Sequence, residues 1–196
     1  MKAIIFDFDG VIADTYDFNM GLTKEVGHDV THEDFKAHHD GNVLEEPKIA
    51  FTKQSSHDFF AKYLDRVTEV KSFFTLENIH ILREISPLYI ISSSQEKAID
   101  KFLDHNNLNY FDEILGTDFH RSKVEKFKYL LNTYTLKPNE VVFVSDTLGD
   151  ILEAKKVHIK TIAVDYGFHD IERLKRGDPF RIVSNFEGLL KIIQKM

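Results

Sequence analysis

Short apolar runs that recur between longer stretches of helical periodicity set the strongest constraint on the fold of this 196-residue chain. The runs fall at Lys2–Phe6, Leu88–Ser92, Glu113–Leu115, Val141–Val144, Thr161–Val164 and Arg181–Val183. They are apolar and mostly β-branched, the composition of strands buried on both faces. Between and after them, helices are predicted over Glu77–Ile85, Gln95–His105, Lys123–Thr133, Asp150–Val157, Asp170–Arg176 and Phe186–Lys195. This alternation predicts an α/β fold with a parallel sheet covered on both faces. Ligands of such open sheets bind beyond the carboxyl ends of the strands.

The alternation fails between about Thr15 and Thr75. Segments such as Met20-Gly-Leu-Thr-Lys-Glu-Val26 and Phe59-Phe-Ala-Lys-Tyr-Leu64 have helical periodicity, many charges and no convincing strand. A helical insertion after the first strand follows, with linkers near Ala13–Tyr16 and Ser72–Leu76. The division is 1–14 and 77–196 for the core and 15–76 for the insertion.

The first strand ends in Asp7-Phe-Asp-Gly10. Side chains at i and i+2 of an extended segment point the same way, so Asp7 and Asp9 are expected to emerge together where a buried strand meets solvent. Two adjacent carboxylates repel, and the pair needs a cation or a shared proton. Magnesium with a phosphorylated ligand meets that need, since the ion takes one or two carboxylates plus phosphate oxygens. Ser92 and the Ser145-Asp146 pair fall at the ends of two other strands, the same address. Asp146 and Asp150 share a helix face if that helix starts near Ser145; either acid is equally suited to capping it. Ser92-Ser93-Ser94 precede a helix, where hydroxyls and free amides make a phosphate cradle or an ordinary N-cap. Ser122-Lys-Val-Glu125 is a capping-box pattern that puts Lys123 in a first helical turn. A cation is unfavourable at that end of the macrodipole, which points to a use for it. Lys126 competes for the same role.

The formal charge of −7 argues against a general nucleic-acid binder and means that local cations must attract any anionic substrate. The ten histidines lack the spacing of a zinc motif, and His32, His38 and His39 are expected to be solvated. No apolar run approaches a membrane span, and Met1-Lys2 leads straight into the first strand. A cytoplasmic protein without membrane or nucleic-acid partners is the expectation. With no cysteine, thiol chemistry is excluded.

In its order of motifs the chain resembles the haloacid dehalogenase superfamily of phosphohydrolases. An apolar strand with Asp-x-Asp-Gly is matched by Asp7, Asp9 and Gly10. A strand ending in Ser or Thr is matched by Leu88-Tyr-Ile-Ile-Ser-Ser-Ser94. A Lys at a helix start is matched by Lys123, and a strand before paired acids by Val141-Val-Phe-Val-Ser-Asp-Thr-Leu-Gly-Asp150. The resemblance implies a Rossmann-like core with a small helical cap. Asp7 would be the nucleophile and Asp9 the general acid and base. Gly10, Ser92, Ser93 and Lys123 would bind phosphate. Asp7, Asp9 through its backbone carbonyl, Asp146 and Asp150 would hold or support Mg2+. The branch most similar contains phosphoglycolate phosphatases and β-phosphoglucomutases, which implies a small phosphorylated metabolite as partner. Asn19 and Val43-Leu44 stand where mutases carry an acid–base His and a substrate Arg, so hydrolysis is favoured over phosphosugar transfer. A catalytically idle phospho-ligand-binding regulator is the other alternative. Ser145 departs from the usual Gly before the first acid.

Overall fold

The computed structural model describes residues 1–196. Six strands, β1 (Ala3–Phe6), β2 (Leu88–Ile91), β3 (Glu113–Leu115), β4 (Val141–Ser145), β5 (Lys160–Val164) and β6 (Arg181–Val183), form one sheet in the order β3-β2-β1-β4-β5-β6. Every neighbouring pair is parallel. Alternate residues of each strand leave the sheet on opposite sides. Ile4, Phe6, Leu88, Ile90, Val142 and Val144 join one core, whereas Ala3, Ile5, Tyr89, Ile91, Val141 and Phe143 join the other. Burial on both faces is why the strands read as continuous apolar runs. Phe6 pairs with both Ile90 and Val144, so β1, β2 and β4 end at one level, and the segments that follow them converge.

Between β1 and β2 lies the helical insertion: α1 (Tyr16–Glu25), α2 (His32–His38), α3 (Lys53–Arg66) and a 3-10 turn at Val67–Glu69. Thr31 and Thr52 close reciprocal capping boxes at α2 and α3. The two connections to the core run side by side: Asp14 N donates to Lys71 O at 2.9 Å and Phe73 N to Ile12 O at 2.8 Å. The chain continues through α4 (Leu76–Ile85), α5 (Glu96–Asn106), α6 (Lys123–Thr133), α7 (Leu148–Lys156), α8 (Ile171–Lys175) and α9 (Phe186–Ile193). None of these helices is long and apolar enough to cross a membrane.

The insertion is fastened to the core at several places. Arg173 bonds Glu33 and Asp40, and Lys36 bonds Asp170 at 3.1 Å. His169 accepts from Leu148 N through Nδ1 at 2.9 Å, which leaves Nε2–H to donate to Lys36 O at 2.9 Å. Gly149 N donates to His39 O at 3.1 Å. A Cβ on Gly149 would overlap the Gly41 carbonyl, so glycine is what lets this loop reach the start of α7. On the other side, Lys101 donates to the carbonyls of Leu64 and Asp65.

Candidate active site

The strand ends and the insertion enclose a cavity of about 380 Å³ whose wall includes Asp7, Asp9, Ser92, Lys123 and Asp150. Asp7 and Asp9 both reach this cavity, but with different partners. β1 stops at Phe6, and the chain turns at once through Asp7–Gly10, so the i, i+2 rule no longer applies. Asp7 Oδ1 accepts from Phe8 N at 2.8 Å and lies 2.9 Å from Lys123 Nζ. The Asp9 carboxylate turns toward the insertion. It accepts from Ser94 Oγ at 2.6 Å, Tyr63 OH at 2.7 Å and Asn19 Nδ2 at 3.2 Å.

Lys123 Nζ bridges Asp7 and Asp150, the latter at 2.7 Å, and is almost completely buried. Burial alone would lower its pKa, but Asp150 and Asp7 outweigh that and hold it raised. Ser122 caps α6 without a side-chain bond, so the capping box read from Ser122 and Glu125 does not form. The first turn is covered instead by Glu153 of α7, whose Oε1 accepts Lys123 N at 3.0 Å. That acid supplies the negative charge that a helix N-terminus favours. Lys126 sits one turn further, buried, with its Nζ donating to Ser92 O. Burial and then Lys123 push its pKa down to about 7. Of the two lysines, Lys123 is the one that meets Asp7.

Asp146 precedes α7 rather than lying on it, because the helix begins at Leu148. The cap is Thr147, which accepts from Asp150 N. Ser145, the departure from glycine, donates to Asp150 Oδ2 at 2.6 Å and so holds that acid. Asp146 Oδ2 accepts from Phe168 N at 2.6 Å, while its Oδ1 is buried with no partner. Burial raises Asp146 to about 8 and pushes Asp7 well above the carboxylate range; Asp150 is held low because Lys123 and Ser145 bond it. Three buried carboxylates thus share one ammonium. The orphaned oxygen and the uncompensated charge fit a divalent cation. No group of three or more His, Asp or Glu side chains forms a metal cage alone. Asp150 is engaged by Lys123 and Ser145, and the Asp9 carboxylate by Ser94, Tyr63 and Asn19, so a cation here would meet Asp7, Asp146 and backbone oxygen.

Gly10 does not offer its amide to a ligand, since that N–H donates to Ala13 O at 2.8 Å. Its contribution is steric: φ is +72°, and a Cβ would overlap Asp146 Oδ2. Ser92 is buried at the cavity and accepts Ser94 N at 3.0 Å; Ser93 also lines the wall. Ser94 is more than a cap residue, because it bonds Asp9. Tyr63 and Glu153 carried no motif signal. Each is a lone residue on a helix that the fold brings to the site. The polar sequence context suggested solvated rings, but His38 is buried and His39 half-buried; both line the cavity.

The sequence profile of the haloacid dehalogenase-like hydrolases matches residues 4–164. A protein of Caldanaerobacter subterraneus subsp. tengcongensis, provisionally named pyrophosphatase PpaX, is 24% identical over 210 residues, 99% of this chain and 95% of that one. The phosphoglycolate phosphatase of Vibrio parahaemolyticus is 24% identical over 123 residues, 61% of this chain and 53% of that protein. A haloacid dehalogenase-like family hydrolase from Streptococcus pneumoniae has the same fold, with a TM-score of 0.82 and 21% identity over 99% of both chains. The chain belongs to the haloacid dehalogenase-like hydrolase family.

Proposed function

We propose that this protein is a magnesium-dependent phosphatase that hydrolyses a small phosphomonoester through an aspartyl-phosphate on Asp7, with residues 15–76 as its cap. The observation that carries this reading is that the two aspartates line one cavity in different surroundings. Asp7 lies against Lys123, and Asp9 is held by Ser94, Tyr63 and Asn19. Two carboxyl groups in different surroundings can take different roles.

Asp7 Oδ1 is engaged by Phe8 N and Lys123, which leaves Oδ2 to attack phosphorus. As the bond to the leaving oxygen breaks, Asp9 delivers its proton to that oxygen. Asp9 then takes a proton from water, which attacks the same phosphorus; phosphate leaves and the Asp7 carboxylate is restored. Lys123 and the Ser92 hydroxyl bind the transferring phosphoryl oxygens, and the Ser93 amide adds a further donor. Asp7, Asp146 and the Asp9 carbonyl would hold magnesium, with Asp150 supporting them. An ion held there would neutralise phosphoryl charge.

Phosphate release from phenyl phosphate, with Mg2+ or with EDTA, tests the reading against Asp7→Asn. Turnover that requires the metal and is lost in the variant is expected. Turnover that persists in folded Asp7→Asn would remove Asp7 as nucleophile.

A further inference from the structure

The cap side of the cavity has a chemistry of its own. Phe35, Ile49, Phe51, Phe59 and Phe60 supply an apolar, largely aromatic wall. Set into it are His38 and His39, whose hydrogen bonds fix opposite tautomers. His38 Nδ1 accepts the backbone N–H groups of Lys48 at 3.1 Å and Ile49 at 3.2 Å, so its proton sits on Nε2. His39 Nδ1 faces the Phe35 carbonyl at 2.8 Å and must donate to it, so its Nε2 carries a lone pair. Neither Nε2 has a protein partner, although His38 is only 8% exposed. Burial keeps both rings neutral, lowering His38 to about 4 and His39 to about 3. Nearby, Asn19 Oδ1 is buried without a partner in the same wall. That unmet buried acceptor calls for a ligand hydrogen.

We propose that the leaving group of the substrate is an uncharged alcohol with an apolar body and at least one further hydroxyl, which His38 Nε2–H and His39 Nε2 read as donor and acceptor. A hydroxyl both gives and accepts a hydrogen bond, whereas a carboxylate or second phosphate only accepts. A second anion would also stand before a wall without a buried cation. Lys53 and Arg121 border the cavity but are exposed, and the Arg121 guanidinium donates to Leu44 O. This inference rests on the phosphatase reading and adds the class of ester.

The test compares kcat/KM for phenyl phosphate, 3-hydroxyphenyl phosphate, 4-hydroxyphenyl phosphate and 2-phosphoglycolate. At least one hydroxyphenyl ester is expected to exceed phenyl phosphate by about tenfold or more, the discrimination a hydroxyl-reading site provides. The anionic 2-phosphoglycolate is expected to be the poorest. His38→Asn and His39→Asn keep an amide atom near the place of Nδ1 but remove Nε2, and should bring the hydroxyl preference to about one. His38→Gln and His39→Gln, which reach toward the place of Nε2, should restore part of it. Because each variant sees the same esters, the change in ratio reads recognition rather than leaving-group reactivity. Separately, 15N imidazole shifts at neutral pH should show the Nε2–H tautomer at His38 and Nδ1–H at His39. Equal turnover of hydroxylated and plain esters, preference for 2-phosphoglycolate, or matching tautomers would overturn the proposal. No turnover of any ester by folded protein would instead defeat the phosphatase reading beneath it.

Discussion

Asn42 of the insertion and Glu153 of α7 lie 111 residues apart in sequence, and Asn42 Nδ2 donates to Glu153 Oε1 at 3.0 Å. The same oxygen accepts the backbone N–H of Lys123 at 3.0 Å. One carboxylate therefore joins the insertion to the first turn of the helix that carries Lys123. Asn42 is itself preorganised, its Oδ1 accepting from Leu44 N and Glu45 N at 2.9 Å each.

Asn42→Ala should lower kcat/KM about tenfold while costing only about 1.5–3 kcal/mol of stability, the range for hydrogen bonds to a charged group. Steady-state kinetics and a denaturant titration separate the two effects. Limited proteolysis should become faster at the paired connections around Asp14 and Lys71. An unaltered kcat/KM would mean that docking of this loop has no part in turnover.

Gly10→Ala tests the contact between the first turn and Asp146. The site needs φ of +72° and has no room for a Cβ beside Asp146 Oδ2. Strained backbone of this kind costs about 1–3 kcal/mol. A displaced carboxylate can lower turnover by about a hundredfold. Thermal melts and phosphate release should both register the change. A variant with wild-type activity would show that Asp146 can shift without consequence.

The sheet was legible because its strands are buried on both faces, so Ile4, Ile90 and Val144 leave an apolar trace that local sequence cannot disguise. The ends of those strands put Asp7, Ser92 and Asp146 at one address for the same reason. What stayed hidden depends on pairs distant in sequence. Nothing local to Tyr63 marks it as a partner of Asp9, 54 residues away. Glu153 reads as an ordinary charged helix residue. His38 and His39 follow charged neighbours and therefore read as exposed, but α2 presents them to a cavity that only the folded insertion creates. Ser122 and Glu125 fit a capping pattern, yet Glu153 takes that place from another helix.

Asp9 and Tyr63 give a graded prediction. Asp9→Asn retains the size of the side chain and removes its proton, so turnover should fall by about 10²–10⁴, the contribution of general acid–base catalysis. Tyr63→Phe removes one of three donors to Asp9 and leaves Ser94 and Asn19 in place. A loss of about tenfold in kcat is the expected size for one charge-assisted bond. A kcat equal to wild type would mean that the Tyr63 hydrogen bond to Asp9 has no part in turnover.

Metal and pH should act on stability in a linked way. Without a cation, burial raises Asp146 to about 8 and Asp7 well above its ordinary value. A carboxyl whose pKa is higher folded than unfolded binds protons more tightly in the folded state. Its contribution is complete below the unfolded value, about 3.9, and is lost as pH rises through the folded one. Metal-free protein should therefore lose stability between about pH 4 and pH 8. Asp150 is shifted the other way by Lys123, so its contribution is lost only as pH falls below the carboxylate range. On the proposed reading, added Mg2+ would replace the protons on Asp7 and Asp146. The rise in melting temperature with Mg2+ should consequently be larger at pH 8 than at pH 5. In Asp146→Asn that pH-dependent gain should shrink, since the orphaned oxygen no longer carries charge to be compensated. Melting curves at the two pH values, with Mg2+ or EDTA, decide it. An equal shift at both would place the cation away from these carboxylates.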